Sequence, residues 1–157
     1  MKPETLFLKI AVILMGLPVL VLCLLGLFWL AKDTVNPNYA QMLYPIVIGM
    51  YAAAIPFYFA LYQAIKLLSH IDKNKAFSEL SVKNLKNIKY CAIAISTLYV
   101  LIMPFVYLFA EQDDAPGLLI IGMVIIFASM VIAVFAAVLQ KLLKYAIDIK
   151  SENDLTV

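Results

Sequence analysis

The sequence predicts an all-α fold: a polytopic membrane protein whose four transmembrane helices form two hairpins. Three observations carry this prediction, namely the composition, the lengths of the apolar blocks and the positions of the lysines. Hydrophobic residues make up 65% of the 157 residues and charged residues 14%, whereas soluble domains have about 45–50% apolar and about 25% charged residues. A soluble chain of this length could not bury so much apolar surface. We therefore assign residues 1–157 to one integral membrane domain.

Four apolar blocks are each long enough to cross a bilayer. They comprise residues 8–31, 42–65, 90–110 and 118–139. About 20 apolar residues in a helix span a hydrocarbon core of about 30 Å. Prolines interrupt three of these blocks, and we expect helix bends at Pro18, Pro45, Pro56 and Pro104.

The lysines predict the orientation of the four helices. When the helices are threaded alternately through the bilayer, eleven of the twelve lysines fall on one side, and only Lys32 falls on the other. Positively charged loops stay on the cytoplasmic side. The sequence therefore predicts a cell-membrane protein with both termini, the loop 66–89 and the tail 140–157 in the cytoplasm.

Three tyrosines of the second block share one face of the predicted helix. Tyr44, Tyr51 and Tyr58 recur every seven residues. A hydroxyl within the bilayer needs a hydrogen-bond partner, because no water is available there. The face could line a polar cavity, or it could pack against a neighbouring helix and anchor at the interface. Packing is the favoured interpretation.

Small residues mark two candidate seams between helices. Ser129, Ala133 and Ala137 stand four residues apart in the fourth block, and Gly49 and Ala53 do so in the second. Small side chains let neighbouring membrane helices approach closely. We predict that these five residues lie at helix contacts.

The loop 66–89 and the C-terminal end carry the candidate contact residues for a partner. Ser81 is predicted to cap a helix that begins at Val82. Lysines in such a helix favour an anionic inner leaflet by about 1 kcal/mol each. The predicted contacts with lipid or with a partner protein are Lys83, Lys86, Lys89, Leu155, Thr156 and Val157.

A weak internal repeat links the two halves of the chain. The segment 66–68 recurs as 141–143, and 79–82 recurs in similar form as 154–157, both 75 residues later. Either a duplication or chance explains the match, and the sequence leaves both open. Since Thr156 has no room to start a helix, we predict that the last four residues are extended.

No pattern of catalytic, cofactor or metal-binding residues is present. The middles of the four blocks contain no ionisable Asp, Glu, Lys, Arg or His, which disfavours proton-coupled transport. His70, with Asp72 two residues on, is interpreted as a solvated loop histidine rather than as half of a catalytic pair. The 111–114 segment is interpreted as a solvated acidic turn rather than a cation site. We predict no enzyme, no cofactor and no metal. The net charge of +2 gives no support for direct nucleic-acid binding.

The chain resembles the bacterial membrane-protein family catalogued as domain of unknown function 2975. The resemblance is carried by the four spans, by the segments 76–78 and 82–88, and by the ending 152–157. It covers nearly the whole chain, although Lys83 or Lys86 stands where family members typically carry Arg. The resemblance implies a small integral protein of the cytoplasmic membrane, often encoded beside a small helix-turn-helix regulator. It brings no activity or binding residues.

Three hypotheses of function follow. The first is a non-enzymatic regulatory or sensory protein that acts through its cytoplasmic loop and tail on a partner such as a helix-turn-helix regulator. The second is a lipid-handling, peptide-handling or self-protection protein with a groove at the face of Tyr44, Tyr51 and Tyr58. The third is a subunit of a larger membrane complex or a homo-oligomer, with Ser129, Ala133 and Ala137 facing another chain.

Overall fold

The computed structural model describes residues 3–32, 37–112 and 114–155. These residues form four helices and no strand: α1 Pro3–Lys32, α2 Pro37–Asp72, α3 Glu79–Gln112 and α4 Gly117–Leu155. Each helix contains a stretch that is long and apolar enough to cross a membrane. The predicted all-α fold with four membrane helices is confirmed.

The helices pack in chain order as an open row. α2 packs against α1 and α3, and α3 packs against α2 and α4. Within the described residues α1 does not approach α3 or α4, and α2 does not approach α4. The core therefore lies along α3, whose buried side chains extend from Ser81 to Ala110. The helices α1 and α4 form the two edges.

Large apolar side chains are exposed along all four helices. Ile55 of α2 is 74% exposed and Phe127 of α4 is 70% exposed. An apolar surface of this extent would be unfavourable in water. Hydrocarbon solvates it without that cost, because lipid tails are as apolar as the side chains themselves. The outward faces are thus those of a membrane protein.

The segment 66–89 is mostly helical and not an extended loop. α2 continues to Asp72 and α3 begins at Glu79, so the connection comprises residues 73–78 alone. Asn74 adopts a left-handed conformation with φ 57°. The Lys75 N–H donates to the His70 carbonyl at 2.7 Å, and the Asn74 N–H donates to the Ile71 carbonyl at 3.2 Å. This pair of bonds is a Schellman cap, which ends α2 and turns the chain sharply.

A similar cap separates α3 from α4. Asp114 has φ 53°, and the Ala115 N–H donates to the Ala110 carbonyl at 2.9 Å. Glu111 and Asp114 are both exposed, in agreement with a solvated turn. The third acidic residue of this turn, Asp113, lies outside the described residues.

α4 is much longer than a membrane requires. Its 39 residues correspond to a rod of about 58 Å, compared with a hydrocarbon core of about 30 Å. Asp154 and Leu155 belong to this helix, so the prediction that the last four residues are extended is wrong for these two. Thr156 and Val157 lie outside the described residues. The helix continues because residues 140–153 contain neither Pro nor Gly to stop it.

Candidate functional site

A partly buried ion pair joins α1 to the end of α2. Lys9 Nζ lies 2.9 Å from Asp72 Oδ2, and the two side chains are 14% and 11% exposed. The other carboxylate oxygen of Asp72 accepts a hydrogen bond from the Thr5 hydroxyl. Asp72 lies in the last turn of α2 and faces α1. The pair stabilises the contact between the first turns of α1 and the end of α2.

A second polar contact joins α2 to α3 at the same end of the row. Asn84 Nδ2 lies 3.0 Å from His70 Nδ1. The amide nitrogen can only donate, so the ring nitrogen Nδ1 accepts this bond. The prediction that His70 is a solvated loop histidine is wrong, because His70 lies within α2, is only partly exposed and contacts Asn84. His70 and Asp72 face different helices. We call the end of the row that contains Thr5, Lys9, Asp72, His70 and Asn84 the loop end.

The first turn of α3 is fastened to the connection by two serines. The Ser78 hydroxyl donates to the Lys75 carbonyl at 2.6 Å, and the Ser81 hydroxyl donates to the same oxygen at 3.3 Å. Ser81 is fully buried. The prediction that Ser81 caps a helix starting at Val82 is wrong, because the Ser78 carbonyl already accepts from the N–H groups of Ser81 and Val82. The helix thus begins earlier than predicted.

Gln63 places a polar group inside the helix row. The residue is 6% exposed, and its Oε1 atom is buried with no hydrogen-bond partner in the described part of the chain. A buried acceptor without a partner costs about 1–3 kcal/mol. Gln63 and His70 are separated by seven residues of α2 and therefore share one helix face.

The predicted contact lysines of α3 lie near the loop end. Lys83 and Lys86 are exposed, and Lys89 is partly exposed. Lys86 Nζ and Lys89 Nζ lie 5.9 and 5.0 Å from the ring centre of Tyr90. Cations and tyrosine rings at this position suit the boundary between a membrane and water. Their role as contacts with lipid or protein stays a prediction.

One of the predicted tail contacts, Leu155, lies at the end of α4, which extends past the first residue of α3. Gly122 of α4 lies opposite Met103 of α3. Because the two helices are antiparallel, Glu79, the first residue of α3, is level with about residue 146 of α4. Every residue from 148 to 155 is exposed, and Leu155 is 82% exposed. We call residues 147–155 the α4 extension. Thr156 and Val157 lie beyond the described residues.

The predicted small-residue seams both lie against α3. A Cβ added to Gly49 would be 2.3 Å from Ile102 Cγ2, and Ala53 is buried one turn away. On α4, Ser129 and Ala133 are buried, while Ala137 is only partly buried. The sequence argument missed Ala136, which is buried, and Gly122. The regular spacing of small residues on α4 could have indicated both.

Two of the three tyrosines bind the backbone of α1. The Tyr51 hydroxyl donates to the Cys23 carbonyl at 2.6 Å, and the Tyr58 hydroxyl donates to the Gly16 carbonyl at 2.9 Å. Tyr44 is half exposed. The two acceptor residues on α1 are seven residues apart, as the two tyrosines on α2 are. The later tyrosine binds the earlier acceptor, so the two helices run antiparallel. Tyr51 and Tyr58 therefore take part in helix packing.

The arrangement at the loop end fastens helices together. It offers ion pairs and hydrogen bonds, but no nucleophile within hydrogen-bond reach of a base is present among the contacts described above. In the described ranges, no group of three His, Cys, Asp or Glu side chains lies close enough to hold a metal ion. The loop end can bind another molecule through its exposed lysines, its polar side chains and the adjoining α4 extension.

Comparison with known proteins gives two matches. The model of a family described as a protein of unknown function (DUF2975) matches residues 26–157. A protein of Bacillus subtilis (strain 168), described as "Uncharacterized membrane protein YoaS", is 66% identical over 158 residues, which cover 99% of each chain. No solved structure matches this chain.

Proposed function

The chain belongs to the DUF2975 family, and from that premise we propose that it is a non-enzymatic membrane protein with a regulatory or sensory role. It acts through the loop end and the α4 extension on a partner protein in the cytoplasm. The observation that carries the proposal is the α4 extension, a helix that continues past its neighbour with all residues from 148 to 155 exposed. The exposed apolar side chains of this helix, Ile149 and Leu155, are available to another molecule.

The chemistry of this surface favours a protein partner. Ile149 and Leu155 of the α4 extension are 62% and 82% exposed, and on the preceding turns Leu142 and Tyr145 are 58% and 63% exposed. The spacing of Leu142, Tyr145 and Ile149 places these three residues along one side of α4. Lysines and carboxylates occupy the other sides of the same helix. An amphipathic helix of this kind binds in an apolar groove of a partner protein, with its apolar side chains as anchors.

The position of the lysines supports a cytoplasmic location for this surface. Lys83 and Lys86 are exposed on the first turns of α3, next to the connection 73–78. They favour an anionic inner leaflet and hold the loop end at the cytoplasmic boundary of the membrane. The family resemblance implies a small helix-turn-helix regulator as the partner. Recruitment of such a regulator to the membrane would remove it from its operator.

Co-purification with the helix-turn-helix regulator encoded beside this protein's gene tests the proposal. The wild-type protein, a variant lacking residues 151–157, and a variant with Lys83→Gln, Lys86→Gln and Lys89→Gln are compared for regulator bound in mild detergent. We expect bound regulator to fall at least five-fold in the truncated variant and in the lysine variant. The matched control is Glu111→Gln, an exposed charge at the opposite end of α3, which should bind as the wild type does.

The proposal is wrong if both variants retain the regulator and the expression of regulated genes is unchanged. Circular dichroism and size-exclusion chromatography of each variant establish that the helices have formed. A binding loss in a variant with normal helicity then reports the contact surface and not the fold.

A second candidate function is lipid or peptide handling, which one observation favours. An apolar groove of about 310 Å³ lies between α1 and α2, next to Tyr58. A self-protection role predicts that a deletion strain becomes more sensitive to membrane-active peptides. Unchanged sensitivity would exclude it. The third hypothesis has less support, because Ser129 and Ala133 are buried within the chain itself and do not face a second subunit.

A further inference from the structure

An apolar groove lies between α1 and α2. Its walls are almost entirely apolar, and its volume is about 310 Å³. The lining residues come from α1 (Val12, Ile13, Gly16, Leu17, Leu20) and from α2 (Tyr58, Leu61, Tyr62, Ile65). A Cβ added at Gly16 would lie 3.1 Å from Leu61 Cδ1 and 3.5 Å from Tyr58 Cε1, so the two helices approach closely at this point of the groove. The lining residues of α1 extend from Val12 to Leu20, a distance of about 12 Å along the helix.

The groove lies within the membrane-spanning part of both helices. The candidate spans Pro3–Gly26 and Tyr44–Asp72 include every lining residue. The two tyrosines of the lining carry its side-chain polar groups, and one of them, the Tyr58 hydroxyl, donates to the Gly16 carbonyl. An apolar groove that opens toward hydrocarbon is filled by hydrocarbon, since water there would find no hydrogen-bond partner. One acyl chain of a membrane lipid is therefore the occupant.

A lysine lies at the end of the groove that is nearest to the loop end. Lys66 follows Ile65 in the chain, and its Nζ lies 4.9 Å from the ring centre of Tyr62. No carboxylate lies within 4.0 Å of Lys66 Nζ among the residues that the structure covers, whereas Lys9, the other nearby lysine, is paired with Asp72. The charge of Lys9 is thus compensated inside the protein, and that of Lys66 is not.

We propose that the α1–α2 groove and Lys66 form a binding site for one anionic glycerophospholipid. An acyl chain lies along Gly16 and Leu17, and the phosphate lies against the Lys66 ammonium. This orientation of the lipid agrees with the orientation of a lipid in a bilayer. The apolar part of the groove extends toward the bilayer centre at Leu20, and the Lys66 ammonium lies at the membrane boundary. Lysine beside an apolar surface binds anionic lipid through its charge and its aliphatic stem. This site is independent of the partner protein proposed above.

Native mass spectrometry of the detergent-solubilised full chain tests the site. The protein is mixed with equimolar phosphatidylglycerol and phosphatidylcholine that carry the same acyl chains, and the one-lipid adducts are compared. We expect the phosphatidylglycerol adduct to exceed the phosphatidylcholine adduct about five-fold, the ratio that one lysine near an anionic group supports. Lys66→Gln should bring the ratio close to one.

Lys144→Gln is the matched control. Lys144 is an exposed lysine of α4, a helix that packs against α3 and, within the described residues, not against α1 or α2. This variant should keep the wild-type ratio. A third variant, Ile13→Trp, adds bulk at an exposed position on the groove wall and should weaken the adducts of both lipids several-fold without loss of helicity.

Three results would overturn the proposal. They are equal binding of the two lipids by the wild type, an equal effect of Lys66→Gln and Lys144→Gln, and unchanged adducts in Ile13→Trp. The first means that the groove takes any lipid or detergent chain, and the second means that the lysines form only a diffuse basic surface. Regulator co-purification with Lys66→Gln should be unchanged, so the failure of one proposal is distinguishable from the failure of the other.

Discussion

At the scale of single residues, Gly49 sets the distance between α2 and α3. Any side chain at this position would place its Cβ 2.3 Å from Ile102 Cγ2, and both residues are in the middle of long helices that cannot shift locally. Overpacking of this kind typically costs about 1–3 kcal/mol. We therefore expect Gly49→Ala to lower the midpoint of thermal unfolding in detergent.

The control for this substitution is Gly117→Ala, since nothing lies within 4 Å of a Cβ added at Gly117. The second-site change Ile102→Ala in the Gly49→Ala background should restore part of the loss, because it removes the clashing methyl group. A Gly49→Ala protein as stable as the wild type would show that the two helices are not in this close contact.

Asp72 is the second residue with a large expected effect. Asp72→Asn keeps an acceptor for Thr5 but removes the charge that pairs with Lys9. Hydrogen bonds to charged groups contribute about 1.5–3 kcal/mol, and both side chains are mostly buried. We expect a decrease in the free energy of unfolding of about 1–3 kcal/mol in chemical denaturation. Asp148→Asn, at an exposed position of α4, should have no measurable effect.

At the scale of elements, α1 depends on two tyrosines of α2 for its position. Hydrogen bonds between membrane helices contribute about 0.6 kcal/mol on average. The double variant Tyr51→Phe and Tyr58→Phe removes both hydroxyls without changing the ring shape. We expect the amide hydrogens of α1 to exchange several-fold faster, while those of α3 exchange at the wild-type rate. Tyr44→Phe, on the same side of α2 but half exposed, should leave exchange in α1 unchanged.

The elements also show what the sequence could and could not predict. Block length and hydropathy determine that four membrane helices form, because backbone groups in lipid must bond within the helix. The seven-residue tyrosine spacing predicts a shared face, but periodicity alone cannot distinguish a cavity from packing. The two interpretations are distinguished by the matching spacing of Gly16 and Cys23 in α1, whose carbonyls accept the tyrosine hydrogen bonds. The role of a residue spacing in one helix can be assigned only when the helix that packs against it is known.

The polar segment 66–89 was harder to predict, for a different reason. Its composition resembles a loop, yet most of it is helix, because Asn74 confines the turn to a few residues. Asn is a common C-cap residue, so this position could have been recognised. The contact of Asp72 with Lys9 joins residues 63 positions apart, and no local pattern indicates it. Long-range polar pairs of this kind are visible only in the folded chain.

At the scale of the whole molecule, the lysine distribution predicts which end of the row faces the cytoplasm. Single cysteines at Asp114 and at Glu152, in a background with Cys23 and Cys91 replaced by Ala, test this orientation. A maleimide that cannot cross membranes should label position 114 in intact cells and position 152 only after the cells are opened. The reverse pattern would place the loop end outside and would remove the basis of the proposed function.

The four helices of the open row also differ in how readily they bend. α4 has 39 residues and no proline, so it acts as a stiff lever of about 58 Å with one arm in the bilayer and one in water. Helices adjust their tilt to the thickness of the surrounding bilayer. A rotation of about 10° would move the end of α4 sideways by about 10 Å for a rod of that length. Under the proposed function, a change of helix tilt would therefore also displace the contact surface at the end of α4.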